Sequence, residues 1–396
     1  MTTTHSRYAE LRPEVDALVD ETVALRRDLH EHCGLSYEER HTQKVVIDRL
    51  NELGLEDVRP INKTGVTALV HGARPGPTIC WRADMDGLPL DEETRLPFAS
   101  QNGAMHACGH DGHVAIALGV AAALAKSRGA LTGSVRFAFQ PAEERIGGAK
   151  NMIDEGVLEG VDKVFGLHIG ADVPIGEVRV TPGPIMAAAT HFRIIIRGRG
   201  GHAAEPHASI DPIVVAAHAI VALQTVVSRS VHPSQTAVVT VGRIEGGKRG
   251  NIIPNEVMMS GTVRTYEPAV LELVLSRMEE LLAGVTSAWG ATYQFDNSTL
   301  PAVVNDPECA ALVAGVAGAL LGSERVAETK AMGADDMAYF LEARPGCYFF
   351  LGAGNEAKGI TYPHHHPKFD FDEDCLGIGI ELGLRIVEQA TGSSLE

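Results

Sequence analysis

Apolar and polar positions alternate along the first 170 residues in a way that predicts strands and helices in turn. Short apolar runs typical of buried strands lie at 66–71, 78–82, 134–140 and 163–167. Longer amphipathic or apolar stretches typical of helices lie at 13–32, 39–53, 113–127 and 148–155. Because strands that alternate with helices usually form parallel sheets, this half predicts a mostly parallel sheet covered by helices.

The pattern changes after Pro182-Gly183-Pro184. Strand, helix, strand, strand, helix and strand are predicted in that order at 191–197, 212–228, 236–243, 256–265, 269–288 and 291–295. This β-α-β-β-α-β order is the ferredoxin-like arrangement. Near residue 301 the first pattern resumes, with a helix at 307–321, a strand at 347–351 and a last helix at 376–390. We therefore predict an α/β fold: a mostly parallel mixed sheet flanked by helices, formed by 1–186 and 301–396, with a ferredoxin-like α+β domain inserted at 187–300.

Length and charge narrow the class of protein. The 396 residues exceed the ~250–300 that one hydrophobic core usually serves. An excess of 51 acidic over 34 basic residues, a net charge of −17, argues against nucleic acid or an anionic membrane as a partner. Six cysteines without paired spacing indicate reduced thiols in the cytoplasm. We find no signal-peptide pattern in 1–30 and expect no segment with the ~20 apolar residues that span a bilayer.

Residues 105–113, which read Met-His-Ala-Cys-Gly-His-Asp-Gly-His, contain the densest group of chemically active side chains. Thiolate, imidazole and carboxylate are the ligands that transition metals prefer. Cys108 and His110 are two positions apart, a spacing that a loop can turn onto one ion, and Gly109 permits such a turn. For this stretch alone, a solvated loop that happens to contain histidines is the alternative.

Other acidic and imidazole side chains follow the predicted strands. They are Asp84 and Asp86, Glu143 and Glu144, His168, and the run His364-His365-His366. Ligands collect at the carboxyl ends of strands in open α/β sheets. Taken singly, these residues also fit a solvated helix start, a hydrogen-bonded core histidine or a surface loop. Together with the cysteine block they predict one metal site.

Five blocks of sequence carry a resemblance. They are Arg-Ala-Asp-Met-Asp-Gly-Leu-Pro at 82–89, the block at 105–113, Phe-Gln-Pro-Ala-Glu-Glu at 139–144, Gly-Arg-Gly-Gly-His-Ala-Ala at 198–204 and Gly-Asn-Ile-Ile-Pro at 250–254. In order and over nearly the whole chain, they resemble the aminoacylase, hippurate hydrolase and auxin-conjugate hydrolase group. This group belongs to a dinuclear metallopeptidase family that also contains acetylornithine deacetylase. The resemblance implies a catalytic domain with two divalent ions and a lid domain that forms a homodimer or a tetramer.

Position by position, the resemblance also implies site residues. The metal ligands are Cys108, His110, Glu144, His168 and His365. Glu143 matches the general base, and Asp86 matches a carboxylate that supports the site. Asp84 is the alternative to Asp86, and His364 and His366 are alternatives to His365. On the lid, His202, Asn251 and Arg264 are the expected substrate-binding groups; a surface salt bridge is the alternative for the arginine.

The implied chemistry is amide hydrolysis. Two divalent ions about 3.5–4 Å apart can share a water molecule and lower its pKa from about 15.7 towards roughly 7. Glu143 would take its proton and pass it to the departing nitrogen. We predict hydrolysis of small N-acyl amino acids, such as N-acetyl or N-benzoyl compounds, with zinc or manganese, or else cobalt or nickel. A metallo-carboxypeptidase or dipeptidase is the second hypothesis, and a metal-binding scaffold without turnover is the non-enzyme alternative.

Overall fold

The computed structural model describes residues 8–145 and 147–395, so residues 1–7 of the stretch without a signal-peptide pattern lie outside the described part. The chain divides into two compact units. The first unit consists of the chain up to Ile185, the segment Val304–Thr329 and the chain from Asp336 onward. The second unit consists of Met186–Val303 and Lys330–Asp335.

The strands are numbered in chain order. They are β1 Glu56–Ile61, β2 Gly65–His71, β3 Arg74–Asp84, β4 Thr132–Gln140, β5 Lys163–Pro174, β6 Val178–Arg179, β7 Gly183–Met186, β8 Ala188–Arg197, β9 Gly201–His202, β10 Ala237–Gly246, β11 Ile252–Ile253, β12 Glu256–Thr265, β13 Thr292–Leu300, β14 Val303–Asn305, β15 Val326–Ala327 and β16 Gly346–Gly354.

The α-helices are numbered in the same way. They are α1 Pro13–Asp16, α2 Val19–Glu31, α3 Arg40–Glu52, α4 His110–Ser127, α5 Gly148–Asp154, α6 Pro212–Thr225, α7 Pro268–Ala288, α8 Pro307–Leu321, α9 Met337–Ala343 and α10 Asp374–Thr391. A π-helical turn at Val226–Ser230 continues α6, and short 3₁₀ turns lie at Pro206–Ala208, Ser323–Arg325 and Glu356–Lys358.

An eight-stranded mixed sheet organises the first unit. Its order is β1-β2-β4-β3-β5-β16-β6-β15. The central neighbours β4, β3, β5 and β16 are parallel, whereas β1, β2 and β6 make antiparallel pairs. The predicted large mixed sheet flanked by helices is therefore confirmed. The edge strand β1 was not predicted, because five of its six residues are exposed or half-exposed and lack an apolar pattern.

Helix α4 is buried along most of its length, which explains why it is apolar on every side. It packs against α2, α10 and β3. Glycines allow α4 and α10 to approach closely: a Cβ at Gly119 would lie 2.3 Å from Ile380 Cδ1, and one at Gly379 would lie 2.6 Å from Ile116 Cδ1. Each helix thus places an isoleucine over a glycine of the other.

The second unit has a four-stranded antiparallel sheet in the order β10-β12-β8-β13. Its elements follow the predicted order β8-α6-β10-β12-α7-β13. Helices α6 and α7 pack on the sheet through a separate apolar core that includes Ile194, Val215 and Val274. Helix α6 begins at Pro212, where the side chain of Asp211 accepts a hydrogen bond from the Ile213 amide at 2.9 Å. That this unit acts as a lid stays a prediction.

One helix bears on the expectation that no segment is long and apolar enough to span a bilayer. Pro212–Ser230 is long and apolar enough, by length and composition, to cross a membrane. The residues on one side of this helix face the core of the second unit, which accounts for part of its apolar character. However, only 28% of the apolar stretch in this helix is buried, so α6 also has an exposed apolar face.

A buried cluster of charges fixes α2 to the start of α4. The guanidinium of Arg26 is fully buried and lies 2.8 Å from Asp111, 3.0 Å from Asp370 and 3.2 Å from Glu373. Asp111 also accepts from Nδ1 of His30 at 2.8 Å. Burial would raise the pKa of the Asp111 carboxyl, but Arg26 and His30 hold it below its ordinary value. Asp111 is thus an ionised carboxylate that depends on the arginine.

We predict that R26M destabilises the first unit by about 3–5 kcal/mol, because removing one partner leaves a buried carboxylate without its counter-charge. R27M is the matched control: Arg27 pairs with the same Glu373 but is half exposed, so about 1 kcal/mol or less is expected. Urea unfolding followed by circular dichroism measures both. Equal losses of stability would show that the buried cluster is not what holds α2.

Candidate metal centre

The candidate site lies at the carboxyl ends of the central strands of the first unit. Strands β3 and β4 are parallel and end side by side, with Asp84 opposite Gln140. The chain continues from β3 to Asp86 and from β4 to Glu143. The carboxyl ends of parallel strands meet at one edge of a sheet, so the two acidic segments come together as predicted.

The turn before α4 brings the cysteine and the first histidine to this edge. Gly109 has φ 91° and forms the N-cap of α4, which begins at His110. That left-handed conformation is open to glycine at little cost. It lets the side chains of Cys108 and His110 converge, whereas two such positions of a continuing helix would point to opposite sides.

His168 reaches the same place from β5. Its Nε2 lies 3.5 Å from the Cys108 sulfur. The prediction that His168 closes its strand is wrong: β5 continues to Pro174, and His168 lies opposite Phe350 of β16 within the sheet. The following residues, Ile169 to Val173, are mostly apolar and keep the chain in the sheet.

Hydrogen bonds fix which nitrogen of each imidazole is available to a metal. Nδ1 of His110 lies 2.9 Å from the carbonyl of Asp86, and Nδ1 of His168 lies 2.9 Å from the carbonyl of Ile169. Since a carbonyl oxygen only accepts, Nδ1 of each ring carries a proton, and Nε2 is the nitrogen left to bind a metal. Nε2 of His110 is buried and makes no hydrogen bond of ordinary geometry with the described residues. In metal-binding histidines, one ring nitrogen typically donates a hydrogen bond to a carbonyl or carboxylate while the other nitrogen binds the metal.

His113 belongs to the same block but has no nitrogen left for a metal. Its Nδ1 donates to Asp84 Oδ1 at 2.5 Å, and its Nε2 accepts from the Ile169 amide at 2.8 Å. Asp84 in turn contacts Arg82 at 2.6 Å. His113 therefore connects the acidic end of β3 to β5 as a structural group.

The structure separates the three consecutive histidines. His364 donates from Nε2 to the Ile169 carbonyl at 2.8 Å, and the ring of His366 stacks on Tyr362 with centroids 4.5 Å apart. His365 has φ 64°, and its Nε2 lies 3.3 Å from Glu144 Oε1. Its amide donates to the Ala107 carbonyl at 2.8 Å, beside Cys108. Of the three, His365 is the one that the backbone turns towards the other candidate ligands.

The five predicted ligands form two groups that share Cys108. One group is Cys108, His110 and His168, and the other is Cys108, Glu144 and His365; within each group the ligand atoms lie within 4.8 Å of one another. The donor set of one thiol, three imidazoles and one carboxylate suits a transition metal. The residues present therefore fit two cations with a common sulfur ligand.

Burial and neighbouring charges set the protonation of the site in the absence of a cation. Burial raises the pKa of the Cys108 thiol to about 12. Burial also lowers the pKa of His168 well below its ordinary value, so its ring is neutral. Burial would raise the pKa of Asp84, but Arg82 and His110 hold it well below its ordinary value. Burial would lower the pKa of His110, but Asp84 and Cys108 raise it well above its ordinary value, so this ring would release a proton on binding a metal.

Asp86 orients the two glutamates. Its Oδ1 accepts from the amide of Glu143 at 3.0 Å, and its Oδ2 accepts from the amide of Glu144 at 3.1 Å and from Ser36 Oγ at 2.5 Å. Ala142, with φ 54°, makes the turn before them. Asp84 and Asp86, which could not be separated from sequence, therefore make different contacts: Asp86 holds the backbone of the two glutamates, and Asp84 pairs with Arg82 and His113. That Asp86 supports catalysis stays a prediction.

A buried network behind Glu143 was missed from sequence. Asp336 accepts from Arg82 at 3.1 Å, from Gln140 at 2.7 Å and from the Ala149 amide at 3.0 Å. The amide of Asp336 faces Glu143 Oε1 at 3.4 Å. A signal existed: Arg82 and Asp84 are charged residues at alternate positions of an otherwise apolar strand, and buried charges require partners.

The predicted substrate-binding residues lie in the second unit. His202 and Asn251 are exposed, and His202 pairs with Ile252 of β11. Arg264 lies on β12. Burial lowers the pKa of its guanidinium, and no charged group among the described residues offsets that shift. Their roles in binding stay predictions.

Comparisons with known proteins agree with the geometry. Residues 80–389 match the sequence model of peptidase family M20/M25/M40. The N-acetylcysteine deacetylase of Bacillus subtilis is 42% identical over 374 residues, which is 92% of this chain and 97% of the relative. Thermostable carboxypeptidase 1 of Saccharolobus solfataricus is 40% identical over 377 residues, which is 93% of this chain and 95% of the relative.

A solved structure gives the same fold. The crystal structure of the Bacillus subtilis YXEP protein, described as a dinuclear metal binding peptidase from the M20 family, has a TM-score of 0.83 and 35% identity. The match covers 96% of this chain and 99% of that one.

We predict that D86N lowers stability by about 1–3 kcal/mol, because an amide nitrogen in place of one oxygen leaves a buried N–H of Glu143 or Glu144 unpaired. S36A, which removes a donor to the same carboxylate but leaves both glutamate amides satisfied, is the control and should cost clearly less. Thermal unfolding compares the stability of the two variants, and zinc content after dialysis compares their metal binding. If S36A proved as damaging as D86N, the positioning role of Asp86 would be wrong.

Proposed function

This chain belongs to peptidase family M20/M25/M40 and is a hydrolase of amide bonds, and we propose that it cleaves N-acyl amino acids into a carboxylic acid and a free amino acid. The observation that carries the proposal is the pair of ligand groups sharing Cys108, with Glu143 beside them. Relatives named N-acetylcysteine deacetylase and N-acyl-L-amino acid amidohydrolase support the substrate class.

Two divalent ions are the proposed cofactors, held by Cys108, His110, Glu144, His168 and His365. A relative described as a dinuclear metal binding peptidase supports the number. When bound, such ions polarise the amide carbonyl and make water acidic enough to supply a nucleophile at neutral pH. The mixture of sulfur, nitrogen and oxygen ligands suits zinc or manganese and also admits cobalt or nickel.

Glu143 is the proposed general base. Its buried carboxylate lies with His110 and Glu144, with an oxygen of each acid and a nitrogen of the histidine within 4.8 Å of one another. The carboxylate would take a proton from the attacking water and deliver it to the amide nitrogen as the C–N bond breaks. Asp86 holds the backbone of both glutamates, so that one can bind metal while the other moves the proton.

Recognition of the substrate carboxylate is assigned to Arg264, with His202 and Asn251 as further polar groups. The guanidinium is partly buried and has no carboxylate partner among the described residues. A planar guanidinium binds a carboxylate with two hydrogen bonds, which would offset the cost of its burial.

A carboxypeptidase or dipeptidase is the second candidate, favoured by two relatives named thermostable carboxypeptidase at 40% identity. Both reactions break an amide bond next to a free carboxylate, so the same catalytic groups serve either. A release assay on N-acetyl and N-benzoyl amino acids, run beside dipeptides and longer peptides, separates them. The proposal requires kcat/KM to be higher for the acyl amino acids.

We predict that E143Q loses at least about 10²-fold in kcat/KM while its metal content stays that of the wild type, because the amide cannot accept the proton. The neighbouring E144Q should lose metal as well as activity. Elemental analysis and the release assay provide the two readouts. An E143Q enzyme with wild-type turnover and bound metal would refute the role of the base.

A homodimer through the second unit is proposed, with a tetramer as its extension. Helix α6 exposes Ile213, Val214 and Val221, the last with 70% of its surface accessible, and β10 is an edge strand that exposes Val238 and Ile244. An apolar helix face beside an open strand edge is a surface that a second copy can cover by two-fold symmetry. We expect neither nucleic acid nor a membrane as partner, and we place the protein in the cytoplasm, where its six buried free thiols would stay reduced.

We predict that V221E shifts the protein from dimer to monomer, because it places a charge in the centre of the covered apolar face. V304E, at a valine of the first unit with 45% exposure, is the matched control and should leave the dimer intact. Size-exclusion chromatography with light scattering measures the mass. A monomeric wild type, or a dimeric V221E, would remove this interface.

A further inference from the structure

A second group of metal-binding side chains lies on the surface of the first unit, where α2 ends and α3 begins. Asp28 is in the last turn of α2, His32 follows its end, and His41 is in the first turn of α3. Nε2 of His41 lies 2.8 Å from Oδ2 of Asp28. Nδ1 of His32 lies 3.4 Å from Oδ1 and donates to the Asp28 carbonyl at 2.9 Å, a hydrogen bond that it would exchange for the ion. One ligand atom from each of the three lies within 4.8 Å of the others.

The two imidazole rings stack, with centroids 4.2 Å apart and planes inclined by 20°. This arrangement brings both rings to one carboxylate. All three side chains are partly exposed, at 43%, 48% and 35% for Asp28, His32 and His41, so an ion can reach them from solvent. Two imidazoles and a carboxylate suit zinc, nickel or copper, and three protein ligands leave an outer position for water.

We propose that Asp28, His32 and His41 form a third metal site, which binds a divalent transition-metal ion such as zinc at the surface. The ligands come from two helices, and the ion would therefore join the end of α2 to the start of α3. Binding at this site does not rest on the proposed activity, since it involves none of the residues assigned to the catalytic pair.

The segment between His32 and His41 connects this site to the candidate metal centre. Ser36 donates to Asp86 at 2.5 Å, and Glu39 accepts from the Ala142 amide at 2.9 Å. An ion that ties His32 to His41 would hold both ends of that segment. The surface metal would thereby steady the carboxylate that orients Glu143 and Glu144.

Metal stoichiometry tests the site. Full-length protein is stripped with a chelator, dialysed against zinc and analysed for zinc per chain. We expect H41Q and D28N each to bind one equivalent less than the wild type, and H232Q, which alters an exposed histidine of the second unit, to match the wild type. A C108S/H168Q variant should keep the surface equivalent while losing zinc from the catalytic pair. Wild-type stoichiometry in H41Q and D28N would overturn the proposal.

A second measurement needs no variant. Diethyl pyrocarbonate labels accessible histidines, and peptide mass spectrometry follows each one in the wild-type protein. At free zinc about tenfold above Kd, labelling of His32 and His41 should slow about tenfold, because only the metal-free fraction reacts. His232 should be labelled at an unchanged rate. Equal rates for His32 and His41 with and without zinc would show that the pair is only an ion pair with Asp28.

Discussion

The carboxylate of Asp86 is the group on which the catalytic edge depends. It accepts the backbone amides of both Glu143 and Glu144, one on each oxygen. Its own backbone carbonyl holds Nδ1 of His110, which leaves Nε2 for a metal. Asp86 thus sets the direction of the proposed base Glu143 and of two proposed metal ligands, Glu144 and His110. A shift of this residue would move all three together.

Buried charge of opposite sign keeps that edge in place. Arg82 lies between Asp84 and Asp336, and Asp336 in turn faces Glu143 through its amide. Carboxylates buried this deeply would take up protons if they lacked counter-charges. Arg82 neutralises part of the negative charge of these carboxylates, and divalent cations would neutralise the remainder. The same buried negative charge therefore explains both the acidic character of the site and its attraction for divalent cations.

Much of this arrangement could be predicted from sequence because it follows from residue type and local period. The helix at 307–321 and the strand at 256–265 were predicted to the residue. Cys108 and His168 were expected to lie close together and do so at 3.5 Å, although His168 lies within β5 and not at its end. The resemblance favoured His365 but left His364 and His366 open, since the choice depends on a left-handed backbone and on a hydrogen bond to the Ala107 carbonyl. The Arg82–Asp336 contact was missed because it joins positions 254 apart.

Cys108 gives the site a property that an all-carboxylate set of ligands would lack. Burial raises the pKa of its thiol to about 12, so the metal-free chain carries a neutral sulfur at the point shared by the two ligand groups. The thiol must lose this proton to act as a ligand, and metal binding is therefore coupled to proton release. Affinity for the metal then rises with pH over the whole range below that pKa. A carboxylate in the same place would already be ionised at neutral pH. The cysteine therefore makes the metal-free site less negative, and its sulfur becomes charged only when a cation binds.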